Sequence, residues 1–397
     1  MIIRKKYIDE IMPFADSDLV KVITGIRRCG KSVVLEEIKD LISNKSNNIV
    51  YLDFDNRAAT SFIKDWQDIV NYVKENRKSG ICYVFLDEVQ NIDRWSDAVR
   101  SLRRENCSVF ITGSNSKLLS SEITKEIAGR FVSFRIRPFV FREALEYSKQ
   151  LGKDFNIQDY LIWGAFPQGL EQKTVGDLKN YLYSLNETIV INDIILRYKI
   201  KRVEDFKKVV DFILLSNSRI YSAHSISNYM KSNSHIEISA NTIQKWLGFL
   251  KEAYIIDEIP RFSKRAKRQL ENSKKIYNCD VSFNSLRQRD GEWDITHNLE
   301  NIIYNELLYQ GYTLEVYSDA DSEIDFIATR NEKRFYIQVA YSLIEKKTRE
   351  REFKPFAKLD NLHKKIIVTA DEYDYSTSTI QHIKLKDFLQ IKNFENI

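Results

Sequence analysis

Val20-Lys21-Val22-Ile23-Thr24-Gly25-Ile26-Arg27-Arg28-Cys29-Gly30-Lys31-Ser32-Val33-Val34-Leu35 is the stretch that decides the fold. A β-branched, strand-like run enters the pattern GxxxxGK[ST], and a helix-periodic segment leaves it, the strand–loop–helix context a P-loop requires. The glycines let the loop curl so that backbone N–H groups cradle phosphates at a helix N-terminus. The spacing therefore makes Gly25, Ile26, Arg27, Arg28, Cys29, Gly30, Lys31 and Ser32 the nucleotide-binding residues. Lys31 would reach the β- and γ-phosphates, and the Ser32 hydroxyl would ligate Mg²⁺.

Outward from this loop, short apolar runs alternate with amphipathic ones. Val20–Thr24, Ile49–Phe54, Ile81–Leu86, Val109–Thr112 and Phe131–Ile136 read as strands, with Ser32–Leu41, Phe62–Asn76 and Trp95–Arg104 as helices between them. Such alternation implies a parallel sheet covered on both faces, with its ligand at the carboxyl ends of the strands. The third run, Tyr83-Val84-Phe85-Leu86-Asp87-Glu88, ends in two carboxylates, the form of a Walker B segment. Asp87 is the expected Mg²⁺ partner and Glu88 the general base that activates water. Ser114 and Asn115, closing the fourth run, are expected to sense the γ-phosphate, with a helix-capping turn as the alternative. Arg130, ahead of the fifth run, is either an arginine finger or a surface residue. These motifs point to a Mg²⁺-dependent nucleoside-triphosphate hydrolase rather than a mere nucleotide binder.

The string Thr24–Ser32, with Phe85-Leu86-Asp87-Glu88-Val89-Gln90, Ile111–Asn115, Gly129-Arg130-Phe131 and Pro138-Phe139, resembles the prokaryotic AAA+-type ATPases of the additional-strand catalytic-glutamate class. The resemblance is to the subfamily whose ATPase module precedes a C-terminal domain of unknown function, and Trp163–Pro167 also fits it. It implies a sheet ordered 5-1-4-3-2 and adenine as the base, neither of which follows from the residues themselves.

Composition bounds the rest. The 397 residues are 43% hydrophobic and hold 12 Gly and 5 Pro, a balance that favours helices mixed with strands over an all-β chain. Lys plus Arg number 61 against 56 Asp plus Glu, so a net charge of +5 establishes no nucleic-acid partner by itself. Cys29, Cys82, Cys107 and Cys279 have neither CxxC spacing nor a nearby histidine, which argues against zinc and disulfides and for a reducing cytoplasm. No apolar run approaches the length of a membrane span.

Four regions follow: an ATPase domain over 1–140, a helical lid or linker over 141–200, a winged-helix-like domain over 201–285 and an α/β domain over 286–397. In the third, three amphipathic helices precede strands over Tyr254–Phe262 and Lys275–Cys279, joined by a basic stretch. If the third helix enters a DNA groove, Asn241, Gln244 and Lys245 are its polar side chains, and Lys264, Arg265, Lys267 and Arg268 belong to a wing that meets phosphates. Protein contact or plain solvation is the equal alternative.

In the last region a helix with Glu300 and Glu306 precedes strands Thr313–Tyr317, Glu323–Thr329 and Phe335–Leu343, a helix Lys346–Leu359 and a strand Lys365–Thr369. This order resembles the PD-(D/E)XK nuclease fold, in which Glu300 or Glu306 and Asp325 match acidic positions. Where acid-x-Lys is expected stand Gln338 and Ala340, which supply neither charge nor an ammonium group. The resemblance thus implies a degenerate nuclease fold, with a lysine moved in from elsewhere, such as Lys346, as the alternative. Three readings of the whole stay open: an ATPase whose arm acts on double-stranded DNA, an ATP-driven switch that binds a protein or a second copy, and an ATP-gated nuclease.

Overall fold

The computed structural model of the protein describes residues 2–116, 129–262, 274–319 and 322–391. Two compact units result: Met1–Pro138 with Glu252–Tyr254, and Phe139–Lys251 with Ile255–Ile397.

In the first unit, strands β1 (Val20–Thr24), β2 (Ile49–Asp53), β3 (Cys82–Asp87), β4 (Cys107–Gly113) and β5 (Phe131–Arg135) form one parallel sheet in the order β2-β3-β4-β1-β5. The order matches the one implied by family resemblance. Every residue of β1 and β4 is buried, because these strands lie inside the sheet with both faces covered. Helices α1 (Lys5–Ile11), α2 (Lys31–Ser43), α3 (Trp66–Asn76) and α4 (Trp95–Arg104) accompany the strands. Val70, Val73, Val84, Leu86, Val99, Leu102, Val109 and Ile111 belong to one apolar core that fixes the sheet beneath the P-loop.

The second unit begins with helices α5 (Phe141–Gln150), α6 (Ile157–Trp163) and α7 (Val175–Thr188), the last continuing as a π-helix over Ile189–Leu196. Then come α8 (Val203–Leu215), β6 (Arg219–Tyr221), α9 (Ala223–Ser234), α10 (Ala240–Glu252), β7 (Ile256–Ile259), β8 (Arg261–Phe262) and β9 (Lys274–Asn278). Strands β6, β9 and β7 pair antiparallel in that spatial order.

Helix α11 (Ile295–Tyr309) leads into β10 (Thr313–Asp319), β11 (Ser322–Arg330) and β12 (Lys333–Ala340). Helix α12 (Lys346–Phe353), β13 (Lys364–Thr369) and β14 (Ile380–Lys384) complete the unit. A mixed sheet runs β14-β13-β12-β11-β10-β8.

Two expectations are corrected and two strands were missed. The single strand over Tyr254–Phe262 is two, in different sheets, divided at Pro260, whose missing N–H cannot serve a continuous ladder. The helix expected over Lys346–Leu359 ends at Phe353 and tightens to a 3₁₀ turn beginning at Lys354, where Pro355 follows. The short strands β6 and β14 escaped sequence reading.

Candidate functional site

β1 delivers the chain to Gly25, whose φ of 148° and close packing admit no side chain, since a Cβ there would lie 2.1 Å from the carbonyl oxygen of Ile136. The loop closes at Gly30, with φ 98°, directly ahead of α2. That helix start has no side-chain cap, so its first N–H groups are not satisfied by a capping residue. Arg28 is exposed and left-handed at φ 67°, and Cys29 is buried, its thiol donating to Ile136 O at 3.3 Å.

Arg4, only 2% exposed, donates to the carbonyls of Cys29 at 3.1 Å and Arg137 at 2.8 Å. It ties the chain start to the back of the loop. Sequence reading missed this residue, and the charged run at the N-terminus gave no signal for it.

The parallel sheet brings Lys31 and Glu88 together. Lys31 Nζ lies 3.3 Å from Glu88 Oε1 and donates to Ile26 O at 3.3 Å. Burial pulls the Lys31 ammonium down, but the charge and hydrogen bond of Glu88, with the charges of Cys29 and Asp87, together outweigh it and hold the group above its ordinary range. Burial likewise pushes Glu88 up. The charge of Lys31, hydrogen bonds from Gln90 and Lys31, and the charge of Arg27 more than offset this, so Glu88 stays below the usual carboxylate range. Asp87 is pushed up by burial against hydrogen bonds from Thr112 and Ser32, which places Ser32 and Asp87 side by side. Tyr51 OH donates to the other Asp87 oxygen at 3.3 Å.

Thr112 is the second residue missed. Its hydroxyl donates to Asp87 Oδ1 and accepts from Glu88 N at 2.8 Å, bracing the left-handed turn (φ 50°) that aims Glu88. A threonine inside an apolar strand carries no motif, so only the pairing of β3 with β4 reveals it. Ser114 and Asn115 are buried at the end of β4, and the Ser114 hydroxyl makes no hydrogen bond among the described residues. An ammonium, an adjacent hydroxyl and carboxylate, and a buried unused hydroxyl form a donor set that fits a nucleotide phosphate chain with Mg²⁺.

Arg130 does not join them. Phe131 pairs with Val20 and Arg135 with Thr24, so Arg130 stands about five strand residues, roughly 16 Å, from the edge that carries the P-loop. Exposed at the opposite edge, it cannot serve as an arginine finger for its own chain's site.

Elsewhere, Asn241, Gln244 and Lys245 are all exposed on α10, opposite the buried Ile243, Trp246, Leu247 and Leu250. The basic residues Lys264, Arg265, Lys267 and Arg268 lie outside the described residues. Glu300 and Asp325 do converge, on the ammonium of Lys275. Glu306 is excluded from that cluster, since it pairs with Arg142 at 2.7 Å and accepts from Gln310. Gln338 reaches Glu352 at 2.7 Å, and Ala340 is packed in apolar core. Lys346 is exposed and is not the lysine of the cluster. No described helix is long and apolar enough to cross a membrane.

Residues 17–145 match a family profile described as an AAA domain; 154–290 and 296–388 match two profiles described as domains of unknown function, DUF8612 and DUF4143. An uncharacterized protein of Haemophilus influenzae is 33% identical over 390 residues, covering 94% of each chain. The uncharacterized protein MJ1544 of Methanocaldococcus jannaschii is 27% identical, over 89% of this chain and 82% of that one. Among solved structures, AMPPCP-bound DnaA from Aquifex aeolicus aligns with a TM-score of 0.31 at 11% identity, over 62% of this chain and 86% of that one.

Proposed function

We propose, for a chain that belongs to the family of its Haemophilus influenzae relative and carries an AAA domain, that it binds ATP with Mg²⁺ and hydrolyses it. In this reading the nucleotide state governs an arm formed by the residues beyond 140. One observation carries the proposal: Lys31, Ser32, Asp87 and Glu88 meet at the carboxyl edge of a parallel sheet, directly below a glycine-bounded loop.

The N–H groups of the loop and of the first turn of α2 hold the phosphates. Lys31 would exchange its Glu88 partner for phosphate oxygens, and Ser32 and Asp87 would hold Mg²⁺, which would neutralise phosphate charge. Glu88, kept ionised at neutral pH and released from Lys31, accepts a proton from the attacking water. The Ser114 hydroxyl and Asn115 amide read the γ-phosphate. Arg130 could act only on the site of a second copy.

For the arm, helix–strand–helix–helix–strand–strand with the sheet order β6-β9-β7 supports a winged helix, and the exposed Asn241, Gln244 and Lys245 supply a polar face for double-stranded DNA. The C-terminal sheet is read as a degenerate PD-(D/E)XK domain that binds or organises rather than cuts.

The test is ATP binding and phosphate release in two variants. Lys31→Ala should lose tight ATP binding. Glu88→Gln should keep binding and lose roughly 10²–10⁴-fold in hydrolysis. Normal turnover in Glu88→Gln would remove Glu88 from the mechanism.

A further inference from the structure

The nucleotide reading leaves unused a pair of thiols at the amino edge of the first sheet, opposite the edge that carries Asp87 and Glu88. Cys82 opens β3 and Cys107 opens β4, and the parallel register makes them direct partners. Side chains alternate along each strand, and partners on adjacent strands share a face. The two cysteines are thus the first rung of a ladder that continues as Val84 beside Val109 and Leu86 beside Ile111, all in one apolar core. Their thiols are hydrogen-bonded to each other. No spacing along the chain announces the pair, since the register of β3 against β4 creates it.

A cysteine in an apolar core ordinarily behaves as a small hydrophobe. Three features set this pair apart. Neighbouring strands lie about 4.7–4.9 Å apart, inside the roughly 4.4–6.8 Å Cα separation that a disulfide spans, so a bond between the two leaves the sheet paired. The pair also lies just beneath the surface: exposed Gly80 and half-buried Ile81 lead into Cys82, and exposed Asn106, left-handed at φ 59°, leads into Cys107. Strand ends open locally more readily than strand middles, which gives a water-sized oxidant a route. Finally, the guanidinium of Arg77, donating to Glu105 O at 2.9 Å, puts positive charge near both thiols. The hydrogen bond with Cys107 holds Cys82 below the ordinary thiol range against burial, with Arg77 acting in the same direction, whereas that bond and burial push Cys107 up. Cys29, by contrast, gives its thiol to Ile136 O and is pushed up by burial.

We propose that Cys82 and Cys107 are a two-electron oxidation site, closing to an intramolecular disulfide when the chain meets hydrogen peroxide. In the first step the Cys82 sulfur attacks a peroxide oxygen. The S–O bond forms, the O–O bond breaks, and the departing hydroxide leaves as water with the proton of the Cys82 thiol. In the second the Cys107 sulfur attacks the Cys82 sulfenic acid. The S–S bond forms, the S–O bond breaks, and the second hydroxide leaves as water with the Cys107 proton. Two thiols are oxidised and one peroxide is reduced to two waters. The bond joins the strand that ends in Asp87 to the strand that leads to Ser114, and the inference does not depend on the nucleotide reading.

The experiment uses the full chain freed of reductant. Hydrogen peroxide is added and then removed with catalase, the remaining thiols are alkylated in denaturant, and the digest is mapped by mass spectrometry. Two of the four thiols should be lost, in one linked pair of peptides holding Cys82 and Cys107, and dithiothreitol should restore both. Cys29→Ser/Cys279→Ser should lose its two remaining thiols in the same way. Cys107→Ser should stop at a sulfenic acid on Cys82, trapped by dimedone. A wild-type chain that keeps all four thiols, links another pair or bridges two copies overturns the proposal, and that measurement requires no variant to fold. A Cys107→Ser chain in which dimedone labels nothing, while wild type forms the bridge, overturns Cys82 as the attacking sulfur.

Discussion

At the scale of single residues, two buried polar groups of the parallel sheet do different work. Thr112 satisfies Glu88 N and contacts Asp87, so removing its hydroxyl orphans a buried donor beside the carboxylate proposed to activate water. Thr112→Val, nearly the same volume, should cost about 1–3 kcal/mol of stability and lower hydrolysis at least roughly tenfold while ATP still binds. Unaltered turnover would show that the turn is held without it. Lys21 is instead a cost of folding. It sits inside β1, donating to Ser17 O at 3.2 Å and Ser108 Oγ at 2.8 Å, and burial lowers its ammonium to about 7 against opposing charge from Asp16 and Asp18. The unfolded chain keeps that proton up to its ordinary value of 10.5, so between about 7 and 10.5 the unfolded state binds more protons and stability rises with pH. Below 7 the penalty is complete. The unfolding free energy of wild type from urea titration should therefore climb relative to Lys21→Met between pH 7 and pH 9.5, by an amount on the order of a few kcal/mol. A difference that stays flat over this window would refute the assignment.

Between elements, one close join in the second unit is made by a glycine. Gly164 ends α6 at φ 63°, and a Cβ there would fall 1.9 Å from Asp280 Oδ1, a carboxylate that accepts from Ala165 N at 3.0 Å and Ser282 N at 2.9 Å. Gly152, also left-handed at φ 68°, has nothing within 4 Å of its missing side chain. The pair separates conformation from collision: Gly152→Ala should cost about 1–2 kcal/mol, and Gly164→Ala roughly 2–4 kcal/mol, read as loss of denaturation midpoint. Equal losses would mean that Asp280 simply moves aside. The glycine signal at 164 was visible in the sequence, but its partner 116 residues later was not. The same division runs through the whole reading. Strands that are continuous apolar runs, such as Val20–Thr24 and Cys107–Gly113, were legible within one or two residues because both faces are buried. β6 is only three residues long and partly exposed, so it left no pattern. The P-loop and Asp87-Glu88 announced themselves because their chemistry is local. Arg4, Thr112 and Lys275 did not, since each acts across a sheet or from another element, and no spacing along the chain encodes that.

On the scale of the whole molecule, charge is the feature that favours one target for the arm. Residues 263–275 hold six Lys or Arg and one Glu, so this stretch alone equals the net charge of the chain, +5. Two of its lysines are already spent inside the protein, Lys274 on Glu258 at 2.8 Å and Lys275 in its carboxylate cluster. Lys264, Arg265, Lys267 and Arg268 are the charges left to meet phosphates. Each phosphate neutralised releases a counterion, so binding of double-stranded DNA to the full chain should weaken steeply with salt. Changing these four to Gln should flatten the slope of log affinity against log salt by up to about 4, while leaving ATP hydrolysis without DNA unchanged. If DNA also speeds hydrolysis in wild type, and that stimulation disappears with salt and with the four substitutions, the basic stretch reports DNA to the ATPase. A wild-type chain that shows no salt-sensitive DNA binding, with hydrolysis indifferent to DNA, would leave those charges without a nucleic-acid partner. The exposed face of α10 would then be a surface for protein, and the energy of ATP would be directed at an assembly rather than at a duplex.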